Sequence, residues 1–327
     1  MKVFIPAYLY SDSFADNVRT TLLSMGHEVR TLGEIDYRKY GSLYRYAIRM
    51  IFERIRRGAP SREEYKILKL CREYKPDLFL STTACIHPEI LEGLGKICRG
   101  GRIMWWGDPP ANNVRWGFLD PEWDFVFLKD HSAVNKLQLI GRNAFLLHEA
   151  MNPVWHKPLA EQSNEEVVIA GNYYPFRQSL ALKLMNDGIN VALYGPPPPY
   201  WANQKIKNKH TGRYIVREEK SRIFGEGMAC LNSFTMLEGD SLNCRAFEIA
   251  GSGGLQLIEH RSVIEECFEP NREVLVFKSY EELKDHICRA RKYPREMALI
   301  RRSGSRRALA EHTYRHRLTN ILNIINR

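Results

Sequence analysis

At 327 residues the chain is about twice the size of an ordinary single domain, which makes two domains the expectation. Its 44% hydrophobic and 26% charged residues are those of a globular protein and exclude an intrinsically disordered one, and no run of about 18 apolar residues marks a membrane span. A net charge of +10, localised largely in 45–57 and 292–317, favours anionic partners: nucleotide phosphates, nucleic acid or an acidic membrane surface, without choosing among them.

The opening MKVFIPAYLYSDSF lacks the long apolar core of a signal peptide, so the chain is expected to be cytoplasmic. It reads as a first strand, Lys2–Ala7, followed by a helix over Asp16–Met25 and a strand at Glu28–Leu32. Helices are predicted at Leu43–Arg57, Glu63–Tyr74 and His87–Cys98. Further strands are predicted at Asp77–Ser81, Arg102–Trp106, Phe125–Leu128 and Ala144–Leu147. Strands separated by helix-length segments predict right-handed crossovers and a parallel sheet.

Asn152–Pro158 (NPVWHKP) interrupts this pattern with two prolines, and Glu161–Glu166 is polar throughout, so a linker is placed here. A second series follows, with strands at Val167–Ala170, Asn190–Tyr194, Met228–Leu231, Leu255–Glu259 and Val274–Phe277. Its helices are expected at Arg177–Asp187, Ser241–Ala250 and Tyr280–Arg291, with a long last helix from about Glu296 to Ile325. Pro196–Pro199 must be a rigid turn or a polyproline loop. The expected fold class is α/β, with a first domain over 1–157, a second over 158–305, and a C-terminal helical segment, 306–327, returning to the first. Two doubly wound domains of this kind bind ligands in the cleft between them.

Seven cysteines at 71, 85, 98, 230, 244, 267 and 288 are scattered and never form a C-x-x-C pair, so most are expected to be small buried apolar residues. With no H-E-x-x-H motif either, the expected metal set is none.

The most informative stretch is LEGDSLNCRAFEIAGSGGLQLIEH, Leu237–His260. Asp240 or Ser241 can cap a helix running to Ala250, with Gly251 as its left-handed stop. On that helix Ser241, Arg245 and Glu248 share one face, while Leu242, Ala246, Ile249 and Ala250 can bury. A helix N-terminus carrying an arginine suits a diphosphate, and a carboxylate further along suits the paired hydroxyls of a ribose. The glycines at 251, 253 and 254 let a backbone approach a ligand closely. The same spacing equally describes a surface Arg245–Glu248 ion pair on a helix that simply ends in glycine.

Asn243-x-Arg245-x-x-Glu248, followed by Gly253–Gly254 and a strand, resembles the signature of CgeB-like glycosyltransferases, a group similar to the retaining family-four glycosyltransferases. The resemblance continues through Phe268-Glu-Pro270, Val274–Phe277, Tyr280-Glu-Glu-Leu283 and His312-Thr-Tyr-x-x-Arg317, covering roughly 167–325 well and the first half loosely. It implies a GT-B fold, a nucleotide-sugar (a UDP-sugar) as co-substrate and no separate cofactor. Of the family's two glutamates seven residues apart, Glu248 matches the one that contacts the ribose. Asp240 stands at the one that contacts the donor sugar, keeping a carboxylate with shorter reach. In Gly171-Asn172-Tyr-Tyr-Pro-Phe-Arg177, Arg177 occupies the family's diphosphate lysine position and Asn172 replaces its arginine. The resemblance places Tyr214 and Ile215, in Arg213-Tyr-Ile-Val216, beside the base, although a buried strand explains them almost as well. Ser241, Asn243 and Gly254 complete the implied donor set.

In the first half the resemblance points to acceptor binding. Ser81-Thr-Thr83 ends a strand, and Asp108, after Trp105-Trp-Gly and before two prolines, is the favoured acceptor-side carboxylate, against a loop cap beside core tryptophans. His131 follows the fifth strand of this half and is read as facing the cleft or as structural. The basic helix Leu43–Arg57 is read as a core helix with a solvated face in preference to one lying on an anionic membrane. No D-x-D triplet is present, which speaks against a metal-bound GT-A transferase. Three alternatives remain open: a GT-B sugar-nucleotide epimerase, a phage-type enzyme glycosylating DNA bases, and an inactive nucleotide-sugar binding module.

Overall fold

The computed structural model describes residues 1–36, 59–82, 86–112 and 114–326. The predicted helix Leu43–Arg57, together with Thr83 and Cys85, lies outside them. The chain divides into two compact units, Met1–His148 with Arg317–Arg327, and Glu149–His316. By this division residues 157 and 158 both belong to unit 2.

Unit 1 runs β1 (Lys2–Phe4), β2 (Tyr8–Leu9), α1 (Phe14–Ser24), β3 (Glu28–Arg30), β4 (Gly33–Glu34), α2 (Arg62–Tyr74), β5 (Leu78–Ser81), α3 (Pro88–Gly95), β6 (Arg102–Trp106), β7 (Phe125–Leu128), α4 (His131–Leu139) and β8 (Ala144–Leu146). Six strands form one wholly parallel sheet in the order β3-β1-β5-β6-β7-β8. Local chemistry starts the helices. The Ser13 hydroxyl accepts from the Asp16 amide at the head of α1, and Ser61 with Glu64 forms a complete capping box on α2. β5 is buried along its whole length, as a strand covered on both faces must be.

Unit 2 runs β9 (Val167–Ala170), α5 (Pro175–Asn186), β10 (Val191–Tyr194), α6 (Gln204–Lys209), α7 (Arg217–Glu226), β11 (Ala229–Asn232), α8 (Cys244–Gly251), β12 (Gln256–Glu259), α9 (Ile264–Cys267), β13 (Leu275–Phe277), α10 (Tyr280–Lys292) and α11 (Pro294–Glu311). Its parallel sheet has the order β10-β9-β11-β12-β13. Alternate residues feed two separate cores. Val167, Ile169, Val191 and Leu193 enter one, and Val168, Ala170, Ala192 and Tyr194 enter the other. Because β10 and β11 flank β9 on opposite sides, the winding reverses at β9, which opens a crevice at the carboxyl ends of β9 and β11.

The predicted single last helix is two, α11 and α12 (Tyr314–Ile325), broken at His312–Thr313. A long-range contact makes the break. The Met151 amide donates to the His312 carbonyl at 3.0 Å, and the Tyr314 amide donates to the Met151 carbonyl at 3.0 Å. The His312 ring is buried 5.1 Å from that of Phe247 and 5.3 Å from that of Phe268, with Nε2 2.7 Å from the Cys267 carbonyl.

Cys71, Cys98, Cys230 and Cys267 are buried free thiols, whereas Cys244 is partly buried and Cys288 exposed. Burial pushes Cys98 and Cys230 up to about 12, so neither is a nucleophile near neutral pH. Among the described residues no helix is long and apolar enough to cross a membrane.

Candidate anion-binding site of unit 2

β9 ends at Ala170 and delivers Gly171 and Asn172 to the crevice; β11 delivers Asn232 and Ser233. Arg177, in the first turn of α5, is buried there. Its Nε donates to the Ser233 hydroxyl at 3.2 Å, one Nη to the Ser233 carbonyl at 2.6 Å, and the other Nη to the Asn172 carbonyl. All three acceptors are neutral. Arg245, in the first turn of α8, is partly buried and, among the described residues, donates to the Asn232 side-chain oxygen alone, at 3.4 Å.

Both guanidinium groups converge on Gly171. A Cβ built on that residue would lie 2.3 Å from an Nη of Arg245 and 3.4 Å from an Nη of Arg177. Gly171 also has φ +114, a backbone that other residues avoid. Among the described residues neither arginine forms an ion pair, and Glu259, the nearest acid to influence Arg177, is occupied by Arg261 at 2.9 Å. Burial first, and then the Arg245 charge, push the Arg177 guanidinium below its ordinary value. A guanidinium keeps its proton all the same. The result is two adjacent cations held without a counter-ion at a switch point, an arrangement that an anion relieves.

The start of α8 differs from the sequence expectation. The helix begins at Cys244 and its cap is Asn243, whose side chain accepts from the Ala246 amide at 3.2 Å; neither Asp240 nor Ser241 caps it. Asn243 is fixed by a reciprocal amide pair with Asn232, 3.1 Å each way, and Asn232 also donates to Gln256, which in turn donates to the Ala246 carbonyl. This buried chain sets the azimuth of α8 and hence the aim of Arg245. Ser241 is buried and bonds Glu238. Asp240 is exposed and engages the Ser262 hydroxyl and, at 3.4 Å, the Val263 amide.

The glycines are also corrected. Gly251 is the last helical residue and not a left-handed stop; positive φ falls at Gly253, +75. A Cβ on Gly254 would meet Ile249, the Phe224 carbonyl and Cys230 at 3.0–3.3 Å, one on Gly253 would meet Pro158, and one on Gly251 would meet Met151. These glycines let protein pack against protein. Leu242, Ala246, Ile249 and Ala250 are buried as expected.

Glu248 does not pair with Arg245. Its Oε1 takes the Lys220 ammonium, from α7, at 2.9 Å, and His156 Nε2 lies 3.8 Å from the same oxygen. Glu248 is nearly buried, 6% exposed, so the pair is largely desolvated. Glu248→Gln should therefore lower stability by about 3 kcal/mol in urea unfolding, the cost of taking the carboxylate out of a buried ion pair. Glu248→Gln combined with Lys220→Met should recover most of it.

The remaining expected residues lie elsewhere. Tyr214 and Ile215 belong to a loop before α7 and not to a strand, Tyr214 exposed and Ile215 buried. Asn172 is exposed and donates to the Tyr174 hydroxyl at 3.2 Å. In unit 1, Asp108 is exposed in the bend after β6, and His131 is exposed as the first residue of α4, whose cap is Asp130. Sequence reasoning missed Asn232, Ser233, Gln256, Lys220 and His156. A strand ending in Asn-Ser beside a predicted switch point was the available signal for the first two.

A family model described as glycosyl transferase-like matches residues 176–323. No curated protein matches the chain. Among solved structures, sucrose-phosphate synthase from Thermosynechococcus elongatus superposes with a TM-score of 0.68 at 10% identity, over 100% of this chain and 98% of that one. HepE of Anabaena in complex with UDP-glucose gives 0.64 at 11%, over 99% of each chain. AviGT4, a glycosyltransferase involved in avilamycin A biosynthesis, gives 0.63 at 12%, over 100% of this chain and 97% of that one. Over its whole length the chain thus has the GT-B fold of these structures, and its residues 176–323 are similar to the glycosyl transferase-like family.

Proposed function

We propose that the chain transfers a sugar from a UDP-sugar to an acceptor hydroxyl, with retention at the anomeric carbon and without a metal, and that within the GT-B group it is CgeB-like. The observation that supports this most is the pair of counter-ion-free guanidinium groups, Arg177 and Arg245, converging on Gly171 at the carboxyl ends of β9 and β11. As the glycosidic bond to the diphosphate breaks, negative charge grows on the leaving oxygen. Two fixed cations and the amino end of α8 meet that charge without having to reorganise.

In this reading Asn172 adds a neutral donor to the diphosphate, and Ser241 and Asn243 shape the turn that presents Arg245. Asp240 orients the donor sugar, Glu248 takes the ribose hydroxyls through the carboxylate that Lys220 steadies, and Tyr214 and Ile215 border the base. Asp108 and His131, following β6 and β7, act on the acceptor side in unit 1. UDP is favoured because HepE, of the same fold, is described with UDP-glucose and with UDP.

The test is a thermal-shift screen against UDP-, GDP-, TDP- and CMP-sugars, because a ligand of the folded state raises the melting temperature in proportion to its occupancy. A UDP-sugar should give the largest shift and be turned over slowly to UDP. A screen in which no nucleotide sugar moves the transition overturns the proposal. Tight UDP binding with no hydrolysis or transfer would make the chain a binding module.

A further inference from the structure

A second basic feature lies at the opposite end of the unit 2 sheet. Between α11 and the segment 158–165, which leads into β9, runs a groove of about 1020 Å³. Its floor includes Arg301, whose two Nη atoms donate to the carbonyls of Gly225, Gly227, Met228 and Gly253, that is, just before the amino end of β11. Arg301 is about nine-tenths buried, and its Nε has no hydrogen-bond partner among the described residues. Among the described residues no carboxylate forms an ion pair with it; burial pushes the guanidinium down.

Along the α11 wall stand Arg295, Arg302 and Arg306, all exposed and, among the described residues, without an ion pair or hydrogen bond. Helical rise puts Arg295 and Arg302 about 10 Å apart, and Arg302 and Arg306 about 6 Å apart, on one face. A chain extended at about 3.3 Å per residue presents alternate side chains on one face about 6.6 Å apart, close to the Arg302–Arg306 step, and the length of the arginine side chains lets Arg295 meet a further carboxylate on that face.

We propose that this groove docks an extended acidic polypeptide segment of a partner protein, its carboxylates pairing with Arg295, Arg302 and Arg306. The row of charges is too long for one small phosphate to bridge. A membrane would need a convex face, and this one is concave. Nucleic acid fits less well on two counts: no aromatic ring lines the groove for base stacking, and Glu161 and Glu165 on the facing wall would repel a backbone charged at every unit. An acidic peptide can space its charges to avoid them, and Pro158, Ala298 and Leu309 give its apolar side chains a surface.

The test is fluorescence anisotropy of the full chain with a labelled Glu-Ala octapeptide, a Gln-Ala control, oligo-dT of equal charge, and phosphatidylserine vesicles. The Glu-Ala peptide should bind in preference to the others at low salt. Arg302→Ala with Arg306→Ala should weaken it about tenfold with the melting temperature unchanged, since both side chains are exposed. Reversing the same two to glutamate should abolish that binding and create affinity for a Lys-Ala octapeptide. No binding of the acidic peptide, equal binding by the alanine variant, or tighter binding of oligo-dT or vesicles would each overturn the proposal. The site is separate from the Arg177–Arg245 crevice, so neither reading depends on the other.

Discussion

Arg245→Gln is expected to yield a protein that melts at a higher temperature than the parent and no longer responds to UDP. The two effects have one origin. In the parent, Arg245 and Arg177 face each other without a carboxylate, and Arg177 pays the larger part of that arrangement because it is buried. Removing the outer charge relieves the inner one. Among the described residues the one hydrogen bond forfeited is the long one to Asn232, at 3.4 Å. Each 1 kcal/mol recovered raises the transition of a domain of this size by about 2–4 °C, so a rise of a few degrees should be seen by scanning calorimetry at low ionic strength. Sulfate should narrow the difference by screening the parent and occupying its site. Loss of a charge-assisted contact worth about 1.5–3 kcal/mol weakens UDP roughly 10- to 150-fold, measured by titration calorimetry. A variant that is both less stable and equally tight for UDP would show that Arg245 is a structural residue.

Gly171→Ala should be the more damaging change. The new methyl carbon would have to occupy space 2.3 Å from an Arg245 nitrogen, and the residue would keep a φ of +114 that alanine reaches only with strain. Such backbone strain costs about 1–3 kcal/mol before any contact is counted. Arg245 must also leave its place, so UDP affinity should fall at least as far as in Arg245→Gln. A double variant distinguishes cause from coincidence. If the methyl acts by expelling the guanidinium, Gly171→Ala should add little to the UDP defect of Arg245→Gln, while its stability cost should shrink because the clash is gone. Fully additive losses of UDP affinity would place the damage elsewhere in the β9 turn.

Much of the fold was legible because buried parallel strands are short apolar runs bounded by polar turns. Arg102–Trp106, Phe125–Leu128 and Val167–Ala170 have the bounds read from sequence alone. The errors have a common physical source in contacts between residues far apart in the chain. Asp240, Ser241 and Asn243 are all competent to cap α8, and what selects Asn243 is its amide pair with Asn232 on a neighbouring strand. Nothing local marks the break at His312–Thr313, which follows from the bridge to Met151. The pairing of Arg177 with Arg245 was foreseen as chemistry but depended on strand order for its geometry. The Lys220–Glu248 pair left no signal, since a lysine on a charged helix such as Arg217–Glu226 is usually solvated. The glycines after α8 were given a ligand role on residue type and on the family resemblance; the space around them is filled by Met151, Pro158, Ile249 and Phe224.

Unit 1 is closed by residues that follow unit 2 in the chain. Leu318 and Ile321 of α12 are buried, and Arg317 donates to the His148 carbonyl at 3.1 Å, yet both units' other residues precede them in the chain. During synthesis the first 148 residues therefore leave the ribosome without a helix that covers part of their apolar surface, and they wait for the 168 residues of Glu149–His316 before receiving it. Unit 2 has no such delay, because everything it contains has emerged by His316. The order of maturation runs against the order of translation, and the early segment is the one exposed to chaperones and proteases in the interval.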